Sequence, residues 1–292
     1  MASYAVNERF AKREIMSRLT LTLDSHVLSQ ITRCENLYNL STVQGLQPKG
    51  QNFGQYRGTQ FHNLLYLFYK SKLKKRPYNQ CTLDAMRYLR LIGKTMKSED
   101  WMLLSRKFGE YCGYYRNENI QPLAVEKGFS KILYEDMHHL FIYEGRIDFI
   151  GKFLNDPLRY WVDHKTESRK EDLNPDSFQF LGYSWALGTT NGLINYIGMQ
   201  ETKGPSDAFR RTIVNHRKDL IEEWKEQAIN LYFRLANLHR HGYYIKYRTS
   251  CKPYQCRPCD FFEVCNQTNQ RKIDAIISTD FAKRDKPWRA WD

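Results

Sequence analysis

The spacing of apolar and polar positions changes period once along this chain, and the change divides it. In the first part the spacing is helical. The segment LTLDSHVLSQITRCENLYNL, ending at Leu40, repeats its apolar residues at helical intervals behind Asp24 or Ser25, either of which caps a helix. Gln44 to Gly58 is rich in Gly and Gln and reads as a loop. From Gly58 the pattern GTQFHNLLYLFYKSKL predicts a buried helix, and residues 82–115 carry two more helical patterns, a helical insert. From about Gln121 the period falls to two. In LFIYEGRIDFIG, Phe141, Tyr143, Ile147 and Phe149 take one parity and Glu144, Arg146 and Asp148 the other, which is a strand with one buried face. A second strand, RYWVDHKTE, follows the turn residues Asn155, Asp156 and Pro157. Next come a helix, DSFQFLGYSWALG, capped by Asp176 or Ser177 and ended at Gly188, then a third strand, GLINYIGMQE. A long charged helix is expected from about Ser206 to Arg240, before a cysteine-rich stretch and a polar tail. Strands alternating with helices in mid-chain predict an α/β core, wrapped by helices from both ends.

Composition narrows this picture. A chain of 292 residues buries one large core, or a catalytic domain with a helical insert. No apolar run reaches the roughly eighteen residues a membrane span requires. The start, MASYAVNERFAKREIMSRLT, lacks an apolar stretch ahead of a cleavage site, so a cytoplasmic protein of a bacterial, phage-infected or equivalent cell is expected. The net charge of +13 favours a polyanionic partner, because each neutralised phosphate releases condensed counterions. Seven cysteines without a secretory leader point to a metal rather than to a disulfide framework.

The most informative residues are Asp148, Asp163 and Lys165. Asp163 and Lys165 are two apart on a strand, so both side chains leave one face. Asp148 lies on the preceding strand, an antiparallel neighbour, at the parity opposite the apolar residues. Paired in register, these strands bring two carboxylates and an ammonium to one spot. Phosphodiester hydrolysis uses that set: carboxylates hold Mg²⁺ or Mn²⁺, the metal polarises the phosphate and activates water, and the lysine offsets charge gathering on phosphorus. An Asp-x-Lys pair alone is ordinarily a surface ion pair of little value. Here Trp161, Val162 and the apolar end of the GRIDFIG strand place the charges where they are partly buried, and buried charge requires a partner or a metal.

Four motifs in order resemble a known family. G-x-x-x-H (Gly58 to His62), G-R-I-D (Gly145 to Asp148), D-H-K (Asp163 to Lys165) and Q-x-x-x-Y (Gln179 to Tyr183) are similar to the RecB-type branch of the PD-(D/E)XK nucleases. That branch includes the AddB nuclease domain and the CRISPR-associated exonucleases with cluster cysteines. The resemblance runs from Cys34 to Cys265, and it implies a restriction-endonuclease-like core: a central mixed β-sheet flanked by helices, a helical insert, and a cysteine-ligated cluster joining the N- and C-terminal segments. A single domain of 1–292 would then comprise an N-terminal segment (1–57), a helical part (58–120), the catalytic sheet and helix (121–205), a long helix (206–240) and a cysteine-rich end (241–292). By the same resemblance His62, Asp148 and Asp163 ligate the metal, with the His164 carbonyl as a further ligand. Lys165 acts on the attacking water or on the pentacovalent phosphate, and Gln179 and Tyr183, which share a helix face, contact substrate and order the lysine. Glu126, in the strand-like PLAVEKG, sits where a further acidic residue often appears. The acid of the third motif is Asp rather than the commoner Glu.

Cys256, Cys259 and Cys265 form C-x₂-C-x₅-C, a spacing that converges on metal. The fourth ligand is Cys251, which would give a local knuckle of the kind zinc occupies, or Cys34. In the cluster-bearing branch of the family one cysteine precedes the His motif and three stand near the C-terminus, which implies Cys34, Cys256, Cys259 and Cys265 around a [4Fe–4S] cluster, with Zn²⁺ as the alternative. Cys81 and Cys112 read as buried thiols of the helical insert. The expected activity is a Mg²⁺- or Mn²⁺-dependent deoxyribonuclease, an exonuclease on single-stranded DNA or DNA ends. The alternatives are an inactive nuclease-fold protein that binds nucleic acid, or a zinc-stabilised interaction protein. The basic, aromatic-interleaved stretches Lys70 to Tyr78 and Arg240 to Arg248 suit a strand channel. No G-x-x-x-x-G-K-[ST] motif is present, so a P-loop ATPase is not expected in this chain, and a helicase, recombination or CRISPR partner is expected only by resemblance.

Overall fold

The computed structural model describes residues 18–50, 53–167, 174–202, 204–247 and 259–284. Strand β1 (Leu19–Leu23) turns through Asp24 into α1 (Ser25–Arg33). The Asp24 carboxylate accepts the Val27 amide at 2.9 Å, satisfying one of the donors a helix start leaves free. Cys34 ends α1 and opens α2 (Glu35–Tyr38), which runs on into a π-turn over Asn39–Val43. The loop expected over Gln44–Gly58 is shorter than the sequence implied. Leu46–Pro48 forms β2, and α3 spans Phe53–Leu73, since the residues just ahead of Gly58 include no proline to stop it.

Helices α4 (Tyr78–Ile92) and α5 (Ser98–Tyr114) account for the two helical patterns of the insert. They are not a separate layer. Phe61, Leu65 and Phe68 of α3 pack with Leu104 and Phe108 of α5 and Leu89 of α4 against Phe149, Val162 and Leu193 of the sheet, a single apolar cluster. Cys81 and Cys112 are buried there, and burial pushes the Cys112 thiol up to about 12.

Among the described residues the central sheet has six strands. Strands β3 (Ile120–Glu135) and β4 (His139–Phe153) form a long antiparallel hairpin, and the odd-numbered residues Phe141 to Phe149 of β4 are buried as the alternation requires. The other edge of β4 is shared: β1 runs parallel to its first residues, and β5 (Tyr160–Glu167) antiparallel to Phe149–Gly151. After β5 the chain crosses over through α6 (Phe178–Leu187), which starts after Ser177 and ends at Gly188 in the left-handed conformation, φ 63°. It returns in β6 (Asn191–Gly198), parallel to β5 and buried along its whole length, as a covered parallel strand must be.

The long helix expected from Ser206 to Arg240 is instead three elements. A short α7 (Pro205–Ala208) leads into β7 (Phe209–Asn215), antiparallel to β6, and α8 begins only at Lys218 and runs to His241. The surrounding charge hides a β-type run, FRRTIV. Its branched side chains lose rotamer freedom in a helix, and Phe209 and Val214 fill core positions once β6 offers them a ladder. Helix α8 then covers the sheet beside α6, with Trp224 among Tyr143 and Leu181. Two further helices, α9 (Phe262–Asn266) and α10 (Gln270–Asp280), and strand β8 (Phe281–Lys283) close the described chain, and β8 pairs with β2. No described helix is long and apolar enough to cross a membrane.

Candidate active site

Strands β4 and β5 pair only over Phe149–Gly151 and Tyr160–Val162, and beyond that point the backbones part. Continuing the register by one residue sets Asp148 beside Asp163. A side chain fills the gap in the ladder: Asp148 Oδ2 accepts the His164 amide at 2.6 Å. His62 reaches the same oxygen from α3, Nδ1 to Oδ2 at 3.6 Å. Its placement depends on Gly58, one turn earlier. A β-carbon there would stand 2.7 Å from Thr166 Oγ1, so only glycine lets α3 lie this close to β5.

Asp163 is nearly sealed from solvent. Its Oδ2 meets the Lys165 ammonium at 2.8 Å but accepts no well-formed hydrogen bond among the described residues. Its Oδ1 accepts Gln179 Nε2 at 3.1 Å and lies 3.4 Å from the Tyr183 hydroxyl oxygen. Gln179 is the junction. Lysine has no acceptor, so the amide oxygen of Gln179 must face it, at 2.8 Å, which turns Nε2 towards Asp163 and the Tyr183 oxygen. Tyr183 in turn donates to the Arg146 carbonyl at 2.9 Å, fastening α6 to β4.

The electrostatics separate the two carboxylates. Burial penalises both. For Asp148 the His62 imidazole and the two groups of His164 outweigh that penalty and hold its pKa well below the usual range. For Asp163 burial prevails, with Asp148 adding to it against the pull of Lys165, and its pKa is raised. Burial opposes the His62 imidazolium, yet Asp148 more than offsets this and raises its pKa. His164, on the opposite face of β5, is driven down to about 3 by burial and is a neutral ring. Its Nδ1 lies 2.7 Å from Asn195 Nδ2, so that nitrogen is the acceptor and the proton sits on Nε2.

Asp148, Asp163, Lys165, Gln179, Tyr183, His62 and His164 all line one cleft of about 490 Å³. Glu126 stands at its edge. It falls between the ladder pairs Val125–Phe149 and Lys127–Ile147, opposite Asp148, and its φ of 49° is a left-handed conformation that costs a glutamate about 1 kcal/mol or more. Burial, then Asp148, raises its pKa, and Arg146 Nε meets it at 2.7 Å. The opposite wall was not anticipated from the sequence as part of a site: Asp24, Ser25, His26 and Ser29, at the start of α1. Their polarity was visible only as a helix cap.

Among the described residues, no three His, Cys, Asp or Glu side chains already enclose a metal position. Of the four cysteines expected to form a cluster, Cys256 lies outside the described residues, as does the alternative Cys251. Cys34, Cys259 and Cys265 are free thiols, Cys34 buried and the others half-buried. Cys34 Sγ accepts the Tyr247 amide at 3.4 Å, and Cys265 Sγ accepts Asn36 Nδ2 at 3.3 Å.

The model of the PD-(D/E)XK nuclease superfamily matches residues 26–266, and the chain belongs to that superfamily. The mixed sheet flanked by helices agrees with its restriction-endonuclease-like fold. Among solved structures, the "Crystal structure of SSO0001" is similar at 17% identity with a TM-score of 0.30, over 59% of this chain and 74% of that one. No protein with a curated description matches.

Proposed function

We propose that this protein is a RecB-type nuclease that hydrolyses DNA with Mg²⁺ or Mn²⁺, as an exonuclease on single strands or free ends. The observation that carries the reading is the meeting of Asp148, Asp163 and Lys165 in one cleft, tied together through Gln179 and Tyr183. The donor set fits a hard divalent cation: two carboxylates, one of them with an enclosed oxygen that meets the Lys165 ammonium but no well-formed hydrogen-bond donor among the described residues, and His62 Nδ1, with the His164 carbonyl added by the family resemblance. A cation held there supplies a Lewis acid for a phosphate oxygen. The His62 imidazole and His164 favour the ionised form of Asp148, and Asp163 is buried at a cost that a cation would offset. The Lys165 ammonium, fixed by Gln179, faces the point where water attacks and where charge gathers on phosphorus.

The test is digestion of end-labelled single- and double-stranded DNA with Mg²⁺ or Mn²⁺, beside Asp163→Ala and Lys165→Ala. Metal-dependent cleavage that falls at least a hundredfold in each variant is expected, on the scale of losing one preorganised transition-state group. Full activity in Asp163→Ala, or none in the wild-type protein, overturns the reading.

The cysteines carry a second assignment, a structural [4Fe–4S] cluster on Cys34, Cys256, Cys259 and Cys265. What supports it is that Cys34 and Cys265 lie where the two ends of the chain meet, each sulfur already receiving an N–H donor, as thiolate ligands do. Brown protein with iron and acid-labile sulfide, bleached by Cys34→Ser, is the expected result. Stoichiometric zinc in colourless protein replaces the cluster with the alternative metal.

A further inference from the structure

The register of β5, β6 and β7 aligns two rows across the sheet. One is His164, Asn195 and Arg211; the other is Lys165, Tyr196 and Arg210. Residues paired across adjacent strands share a face. The first row is hydrogen-bonded throughout, with His164 and Asn195 buried and Arg211 partly so: Asn195 Nδ2 to His164 Nδ1 at 2.7 Å, Arg211 Nε to Asn195 Oδ1 at 3.3 Å, and Arg211 to Glu118 at 2.6 Å. The second row starts at the lysine of the candidate active site and ends at an exposed guanidinium on the edge strand. Two strand spacings separate them, about 10 Å, the reach of roughly three nucleotides at the 3.4 Å rise of a stacked strand.

Where the rows end, a cleft of about 440 Å³ opens between β6–β7 and the end of α5. Tyr114, Tyr115, Tyr196, Phe209, Arg210 and Arg211 line it. Arg211 lies 3.7 Å from the Tyr115 ring centre and Arg210 5.6 Å from that of Tyr196, so both guanidiniums are seated on aromatic faces. Their duties differ. Glu118 neutralises Arg211, which is structural, while Arg210 stays exposed and lines the same cleft as the half-exposed ring of Tyr114. An exposed aromatic face and a cation lining one cleft match a flipped-out base and its phosphate. Asp207, the carboxylate on the rim, suits a base N–H better than a phosphate.

We propose that this cleft is a second nucleic-acid subsite. It takes an unstacked base and the adjoining phosphate of a single strand whose scissile phosphate lies at Lys165. The proposal rests on the nuclease reading for the position of the scissile phosphate, and it names single-stranded nucleic acid as the ligand of the edge-strand cleft. A duplex does not present an unstacked base there.

The test compares kcat/KM on a labelled single-stranded oligonucleotide of about twelve nucleotides, long enough to reach the cleft, with one of about two, which is not. The wild-type protein is expected to favour the longer strand by roughly ten- to a hundredfold, the value of one stacked base. Tyr114→Ala and Arg210→Ala each remove most of that preference, and Tyr114→Phe, which keeps the ring, retains it. An equal preference in all three variants, or none in the wild-type protein, overturns the subsite. Fluorescence anisotropy of the longer strand without metal separates the two readings. Binding that weakens about tenfold in Tyr114→Ala and Arg210→Ala, in a protein that cuts nothing, upholds the subsite and removes the nuclease. Absence of wild-type binding removes the subsite.

Discussion

A lysine 2.8 Å from a buried carboxylate would ordinarily be committed to it, yet Lys165 is shared, because Gln179 holds the ammonium with its oxygen and Asp163 with its nitrogen. Replacing Gln179 by Ala leaves both charges in place and removes what fixes their geometry. The expected result is a fall in kcat of about ten- to a hundredfold with KM nearly unchanged, the signature of a group that positions rather than binds. A change confined to KM would move Gln179 from the lysine to the substrate. Across the cleft, Asp24 offers a test free of chemistry. Burial raises its pKa to about 6, so the folded state binds its proton more tightly than the unfolded chain does. That contribution is fully present below about pH 4 and is lost as the pH rises through about 6. Asn caps a helix as well as Asp, so Asp24→Asn should be more stable than wild type by about 1–2 kcal/mol at pH 8, after allowing for solvent reaching the half-buried carboxylate. Below pH 4 the two should coincide in metal-free thermal unfolding. A constant difference across that range would mean that the charge is not the cause.

At the scale of elements, the sequence displayed what depends on local period and hid what depends on partners. The β4 alternation, the crossover β5–α6–β6 and the caps at Asp24 and Gly188 were all legible, because each is written in neighbouring residues. Strand β7 was not, since the charges flanking FRRTIV continue the pattern of α8 and only β6 makes the strand worthwhile. The Asp148–Asp163–Lys165 grouping was legible from parity. The α1 wall of the cleft was not, because it depends on β1 running parallel to β4. Gly58 shows an element held by one contact. Gly58→Ala sets a methyl 2.7 Å from Thr166 Oγ1, and the branched Thr166 yields only by changing rotamer or by moving α3 off β5. A loss of about 1–3 kcal/mol in stability is expected, together with weaker cleavage as His62 retreats from Asp148. Adding Thr166→Ala should recover most of both losses, since it removes the obstructing oxygen. If the double variant stays as impaired as Gly58→Ala, the contact with Thr166 is not what glycine serves.

At the scale of the molecule, the N- and C-terminal parts of the described chain are joined by direct contacts. Glu35, almost fully buried, accepts from Arg234 at 2.6 Å and from the Ile245 amide at 2.8 Å, and Tyr38 meets His239 at 2.8 Å. Strands β2 and β8 pair, and Leu40 and Leu46 pack with Phe261, Val264 and Phe281. A cluster on Cys34 would close the same long loop a second time, where closure entropy is largest. The two fastenings should therefore support each other. Glu35→Ala strands the Arg234 guanidinium and the Ile245 amide, and because that guanidinium is partly exposed the cost should be about 2–4 kcal/mol. In protein loaded with iron the ends stay tethered and the loss should sit at the lower end of that range. In Cys34→Ser, or after chelation, it should rise, with the visible absorbance of the cluster gone and unfolding starting at the termini. Denaturant unfolding of the two single variants and the double variant measures the coupling directly. Strict additivity would mean that the cysteines and Glu35 fasten different parts of the molecule, and that Cys34 is not the ligand that ties the N-terminal segment to the C-terminal one.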